Sequence, residues 1–126
     1  MSKKTGISHG AIVLPARDVQ AAIDWYTHKL GFTCTFQWGE PLNYAVLNYQ
    51  EKIHLHLTLS DGAVPPNDHT VLYLFVHRIE PFYEQLQQAD VTIDTPLGER
   101  AYGMKDFDVR DPDGYRISFG EGIEGA

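Results

Sequence analysis

The 126-residue chain is 43% hydrophobic, enough apolar material for one domain-sized core without a covalent staple. Cys34 is the only cysteine, which excludes an intrachain disulfide, a thiolate metal cluster and CxxC redox chemistry. The formal charge of −7, from 17 acidic and 10 basic residues, argues against nucleic acid as a partner, and no apolar run approaches the roughly 20 residues of a membrane helix.

The opening MSKKTGISHG has two lysines with no apolar stretch behind them, so it does not read as a secretory leader, and a cytoplasmic location is expected. Residues 9–14 are short and β-branched and predict a strand. Asp18 then caps a helix whose apolar stripe is Val19, Ala22, Ile23, Tyr26 and Leu30. Lys29 in the last turn and Gly31 just after it mark the helix stop. Strands are predicted at residues 32–36, 44–48 and 52–58. The segment SDGAVPPNDH, residues 60–69, is the only loop rich in turn residues.

Beyond that loop the order repeats. Residues 71–76 predict a strand, and Pro81 lies near the start of a helix with the stripe Ile79, Phe82, Tyr83 and Leu86. Further strands begin at 91–93 and span 105–110 and 115–119. Between the last two sits Asp111-Pro-Asp-Gly114, in which proline presets φ for a turn and glycine supplies a positive φ. The pattern is βαβββ twice, an α+β fold built from two modules. We expect a single domain over residues 1–126, with module one at about 8–60, a linker at 61–69 and module two at about 70–121.

Alternation within the strands separates two faces. Ile53, Leu55 and Leu57 lie on one side of their strand, and His54, His56 and Thr58 on the other. Phe107 and Val109 oppose Asp106, Asp108 and Arg110, and Ile117 and Phe119 oppose Arg116 and Ser118. The apolar sides must pack on the helices, so the polar sides look away from them. If the sheets curve, these polar sides line a water-accessible cleft. The plainer alternative is an ordinary solvent face, with pairs such as Asp108 and Arg116 purely structural. Aromatic residues are expected near the same face: Phe36, Trp38, Tyr44, Tyr73, Phe75 and Tyr102. Rings there stack on planar or cationic ligands, or else fill a core or an interface.

The two βαβββ modules, the stretch PARDVQAAIDWYTHKLGF and the DPDG turn resemble the vicinal-oxygen-chelate superfamily of glyoxalase I, extradiol dioxygenases, fosfomycin-resistance enzymes and bleomycin-resistance proteins. The likeness runs from about Gly10 to Gly120. Within the superfamily, Ala16-Arg-Asp-Val19, Trp25-Tyr26, Lys29-Leu-Gly-Phe32, Val71-Leu-Tyr-Leu-Phe-Val76 and Tyr102-Gly103 ahead of Val109-Arg-Asp-Pro-Asp-Gly114 resemble the bleomycin-resistance branch. The resemblance implies curved, mostly antiparallel sheets with the helices on the outer face.

Enzymes of the superfamily hold a divalent metal at equivalent strand positions of both modules. By the motifs, those positions fall on Ala11, His56, Val71 and Ser118. Only His56 is a usual ligand, whereas a catalytic site wants at least three. The resemblance therefore implies a binding protein with no metal and no cofactor, in which two chains form a homodimer. Its ligand is a small molecule, cationic or aromatic, and a bleomycin-type drug is the expected example. Family contact positions map onto Phe36, Tyr44, Tyr73, Phe75 and Tyr102, with Thr35 and Thr58 at polar contact positions. Asp106 shares the wet face, His54 and His56 are expected to line the cleft, and Trp38 is expected to border it. Tyrosine and phenylalanine stand where tryptophan is common in that branch.

An opposing reading starts from His54-Leu-His56, an H-x-H whose imidazoles share a face, with His9 on the neighbouring strand. On it the chain is a metal-dependent lyase or dioxygenase whose ligands have moved to His9, His54, His56 and an acidic residue such as Asp106. No GxGxxG or phosphate-loop pattern occurs, and Cys34 has no basic helix end beside it to activate the thiol.

Overall fold

A computed structural model describes residues 5–62 and 68–123. The centre of the expected linker, residues 63–67, lies outside the described residues, as do residues 1–4 of the opening segment. The chain divides into two compact units at Gly62 and Ala63.

The first unit runs β1 (Ile12–Ala16), α1 (Val19–Leu30), β2 (Thr33–Trp38), β3 (Tyr44–Tyr49) and β4 (Ile53–Leu59). Its sheet has the order β1-β4-β3-β2, with β1 parallel to β4 and the other neighbours antiparallel. Asp18 caps α1 by accepting a 3.0 Å hydrogen bond from the Ala21 amide. Gly31 ends the helix in the left-handed region at φ 84°, its N–H returning to the Thr27 carbonyl at 3.2 Å. Val19, Ala22, Ile23, Tyr26 and Leu30, the whole expected stripe, are buried. They pack with Leu14, Ala16, Ala45, Leu47, Leu55 and Leu57 in one core.

The second unit repeats the plan with β5 (Thr70–Phe75), α2 (Ile79–Gln88), β6 (Thr92–Glu99), β7 (Met104–Arg110) and β8 (Arg116–Gly122). Its sheet order is β5-β8-β7-β6, again with one parallel pair, β5 with β8. Phe82 packs on Phe119 and Tyr83 on Phe107, with ring centroids 5.1 Å and 4.7 Å apart. The α2 N-terminus is capped from a distance: both Glu121 carboxylate oxygens accept, one from the Arg78 amide at 2.9 Å and one from the Ile79 amide at 3.1 Å. The Asp111 carboxylate accepts from the Asp113 and Tyr115 amides, both at 2.9 Å, and Gly114 takes φ 86°, which closes the turn into β8.

Strand boundaries differ from the sequence expectation in a consistent way. β1 starts at Ile12 and continues through Pro15. It is an edge strand, where a missing N–H need not break the ladder. β2 runs on to Trp38, and β8 to Gly122 opposite Met104. β6 extends to Glu99 across two irregularities, one between Ile93 and Thr95 and one between Thr95 and Gly98 that contains Pro96.

Candidate functional site

The helix-free face of the second sheet is built by register. Tyr73 stands opposite Ser118 and Phe75 opposite Gly120. On the next strand Asp108 stands opposite Ser118, and Asp106 opposite Gly120. Gly120 has no side chain, and Tyr73 occupies the space: a Cβ at Gly120 would fall on the Tyr73 hydroxyl, with Cζ only 2.7 Å away. The turn from β6 to β7 is closed by the Gly103 amide donating to the Arg100 carbonyl, and it sets Tyr102 beside β7. Tyr73, Phe75, Tyr102 and Met104 thereby line one open depression of about 400 Å³. Phe75 is 78% and Tyr102 68% exposed, so these rings are largely bare.

Beneath the rings, Asp106 is buried and accepts three side-chain hydrogen bonds. Its Oδ1 accepts from Arg100 Nε at 2.7 Å, and its Oδ2 accepts from the Tyr73 hydroxyl at 3.2 Å and from the Tyr102 hydroxyl. Arg100 Nη2 also reaches the carbonyls of Pro96 and Asp106, at 2.9 Å and 3.1 Å. Burial pushes the Asp106 carboxyl up, but the bonds from Tyr102, Arg100 and Tyr73, with the Arg100 charge, outweigh it and hold the group below its usual value. Burial, then the charge of Asp106 and the bond to it, push the Tyr73 phenol up to about 12. The bond to Asp106 raises the Tyr102 phenol too. The expected wet face thus carries a carboxylate whose charge is already met.

The neighbouring polar residues pair with one another as well. The Ser118 hydroxyl donates to Asp108 at 2.6 Å and lies 2.8 Å from that of Thr70. Arg116 lies 3.7 Å from Asp108 and shares Asp94 with Arg110.

In the first unit, one row across the sheet reads Val13, His56, Val46 and Phe36, and the next reads Pro15, Thr58, Tyr44 and Trp38. Tyr44 Oη lies 2.6 Å from His56 Nδ1. Phe36, Val13 and Trp38 are exposed. Thr35 sits at the bulge between Cys34 and Phe36, its hydroxyl donating to the Val46 carbonyl at 3.4 Å. His54 packs on His9, centroids 5.2 Å apart, while His9 Nδ1 is 2.6 Å from the Ser8 hydroxyl.

The structure therefore gathers Tyr73, Phe75, Tyr102 and Asp106 in the second unit. It puts Phe36, Trp38, Tyr44, His56 and Thr58 on one face of the first. His9, His54 and His56 do not converge: no three His, Cys, Asp or Glu among the described residues are grouped so as to hold a metal ion. At the positions that the resemblance would give to a metal, Ala11 and Val71 carry no side-chain donor, the Ser118 hydroxyl is tied to Asp108, and His56 Nδ1 is tied to Tyr44. That donor set does not fit a divalent ion. Sequence reasoning missed Met104, Arg100 and Gly120. Met104 is two residues from Asp106, so a strand begun one residue earlier would have placed it on the same face.

Among the described residues no helix is long and apolar enough to cross a membrane. No curated protein matches the chain. Solved structures match it closely in fold. TioX from Micromonospora sp. ML1 superposes with a TM-score of 0.75 at 18% identity, covering 92% of this chain and 99% of its own. A glyoxalase-related enzyme from Clostridium phytofermentans gives 0.77 at 13% identity, with 97% and 100% covered. The bleomycin-binding protein of bleomycin-producing Streptomyces verticillus, complexed with copper(II)-bleomycin, gives 0.68 at 24% identity, with 94% and 99% covered. The family model for Glyoxalase/Bleomycin resistance protein/Dioxygenase matches residues 7–119, nearly the whole chain. With its paired βαβββ units, this chain belongs to the Glyoxalase/Bleomycin resistance protein/Dioxygenase superfamily.

Proposed function

We propose that the chain is a small-molecule binding protein that captures an aromatic or cationic ligand without metal and without chemical turnover. The observation that carries this is the ring-lined depression of Tyr73, Phe75, Tyr102 and Met104. Exposed rings and a thioether offer stacking area to a flat ligand. The titratable groups under them are unsuited to proton transfer. A general acid or base works best with a pKa near the working pH. Asp106 is held ionised and Tyr73 is held protonated far from neutrality. A bleomycin-type drug belongs to this ligand class, and the similar fold of a protein holding copper(II)-bleomycin supports it. A homodimer working in the cytoplasm, one domain per chain, belongs to the same proposal.

The test is equilibrium dialysis against metal-free bleomycin and simpler planar dyes, with elemental analysis of the purified protein. We expect reversible stoichiometric binding, ligand recovered unchanged and no effect of a chelator. Phe75→Ala is expected to weaken binding roughly tenfold, the usual loss for an anchoring ring. Chemically altered ligand would instead establish an enzyme, and a stoichiometric transition metal lost in His54→Ala would favour the metal-dependent reading over this one.

A further inference from the structure

We infer that Asp106 is a positioning residue that acts through Tyr73 and Tyr102, and that with Gly120 it makes the second unit's face select flat aromatic surface rather than positive charge. This deepens the binding reading above and rests on it.

An acidic residue among rings invites a role as counter-ion to a basic ligand. The geometry assigns it another. Asp106 is buried, and its oxygens accept from Arg100, Tyr73 and Tyr102. A carboxylate offers about four acceptor sites. Three are filled, and one of the donors is a guanidinium 2.7 Å away that cancels the charge. An approaching cation meets a compact ion pair rather than a free anion. Both phenol hydroxyls are committed to Asp106, so what Tyr102 leaves to solvent is chiefly ring. Tyr73 is pinned twice, by its bond to Asp106 and by the space above Gly120, where any side chain would displace it. Its ring lies 5.2 Å from that of Phe75. Rings fixed before binding lose less freedom when a ligand docks.

The experiment measures affinity for two planar dyes, neutral N-phenyl-1-naphthylamine and cationic proflavine. The proteins are wild type, Phe75→Ala, Asp106→Asn, Gly120→Ala, Tyr73→Ala and the double variant Tyr73→Ala/Gly120→Ala. Phe75→Ala should weaken both dyes. Asp106→Asn and Gly120→Ala should each weaken both by the same factor, roughly tenfold on the scale of a lost ring contact. Gly120→Ala should add nothing once Tyr73 is alanine, because its effect passes through that ring. An ultraviolet titration, restricted to the pH range in which circular dichroism shows each variant folded, reads the Tyr73 environment separately from general stability. The phenol assigned by Tyr73→Phe should fall in Gly120→Ala from about 12 toward its ordinary 10.0.

Selective loss of proflavine in Asp106→Asn would make Asp106 a charge reader and overturn the inference. So would unchanged binding in Asp106→Asn and Gly120→Ala while Phe75→Ala weakens both dyes, and that result would leave the binding reading intact. No effect of Phe75→Ala on either dye would remove both. If Asp106→Asn does not fold, Gly120→Ala and its double variant decide, since they leave the carboxylate in place.

Discussion

Tyr73 and Asp106 stabilise the fold in opposite pH directions. The Asp106 carboxyl is lowered in the folded protein, so its contribution is present above the ordinary carboxylate range and lost as pH falls through the folded value. The Tyr73 phenol is raised to about 12, so its contribution is complete below the ordinary 10.0 and lost as pH rises toward 12. Tyr73→Phe should therefore lower the melting temperature at pH 7, where that contribution is complete, and close the gap to wild type between pH 10 and 12. Asp106→Asn should cost about 2 kcal/mol at pH 7, because the amide brings no charge to Arg100 and puts an NH2 where one acceptor oxygen stood. Urea denaturation across pH checks both; identical alkaline slopes for wild type and Tyr73→Phe would contradict the assignment. The rings of this network were legible in the sequence, because alternation alone puts Tyr73 and Phe75 on one face. The role of Asp106 was not legible. Its partner Tyr73 lies 33 residues away, and its buried state is a tertiary fact.

At the scale of elements, local chemistry was readable and distant chemistry was not. Asp18 and Gly31 bracket α1 as their residue types require, since cap and stop act within a turn of their own positions. The Asp111 to Gly114 turn was legible for the same reason. The cap of α2 was hidden because Glu121 reaches the Ile79 amide from 42 residues downstream. The strand ends were hidden too, because pairing with a neighbour carries β2 to Trp38 and β8 to Gly122 past any local signal. The amides of Ile79 and Arg78 hold the Glu121 carboxyl below its usual value. Its stabilisation is therefore present above the ordinary carboxylate range and fades as pH falls through the folded value. Glu121→Gln should lower the melting temperature at pH 7 and match wild type in acid, by calorimetry at both pH values. A constant gap would show that the charge is not what caps the helix.

At the scale of the whole molecule, the net charge of −7 gives any cation a general attraction to the protein. It does not choose a site, and in the second unit the charges near the rings are spent on one another. The superfamily's scaffold is retained, and among the described residues of the second unit the rings and Met104 line an apolar depression. The chain has two methionines, of which Met104 lines that depression. Carbon-13 labelling of the methionine methyls gives a two-signal spectrum, and Met104→Leu assigns the relevant one. Titration with a planar aromatic dye tests the account most directly. The Met104 methyl should shift in step with binding, through the ring current of the stacked ligand, and in Phe75→Ala the same shift should need roughly tenfold more dye. Saturable binding that leaves the Met104 signal where it was would contradict the account.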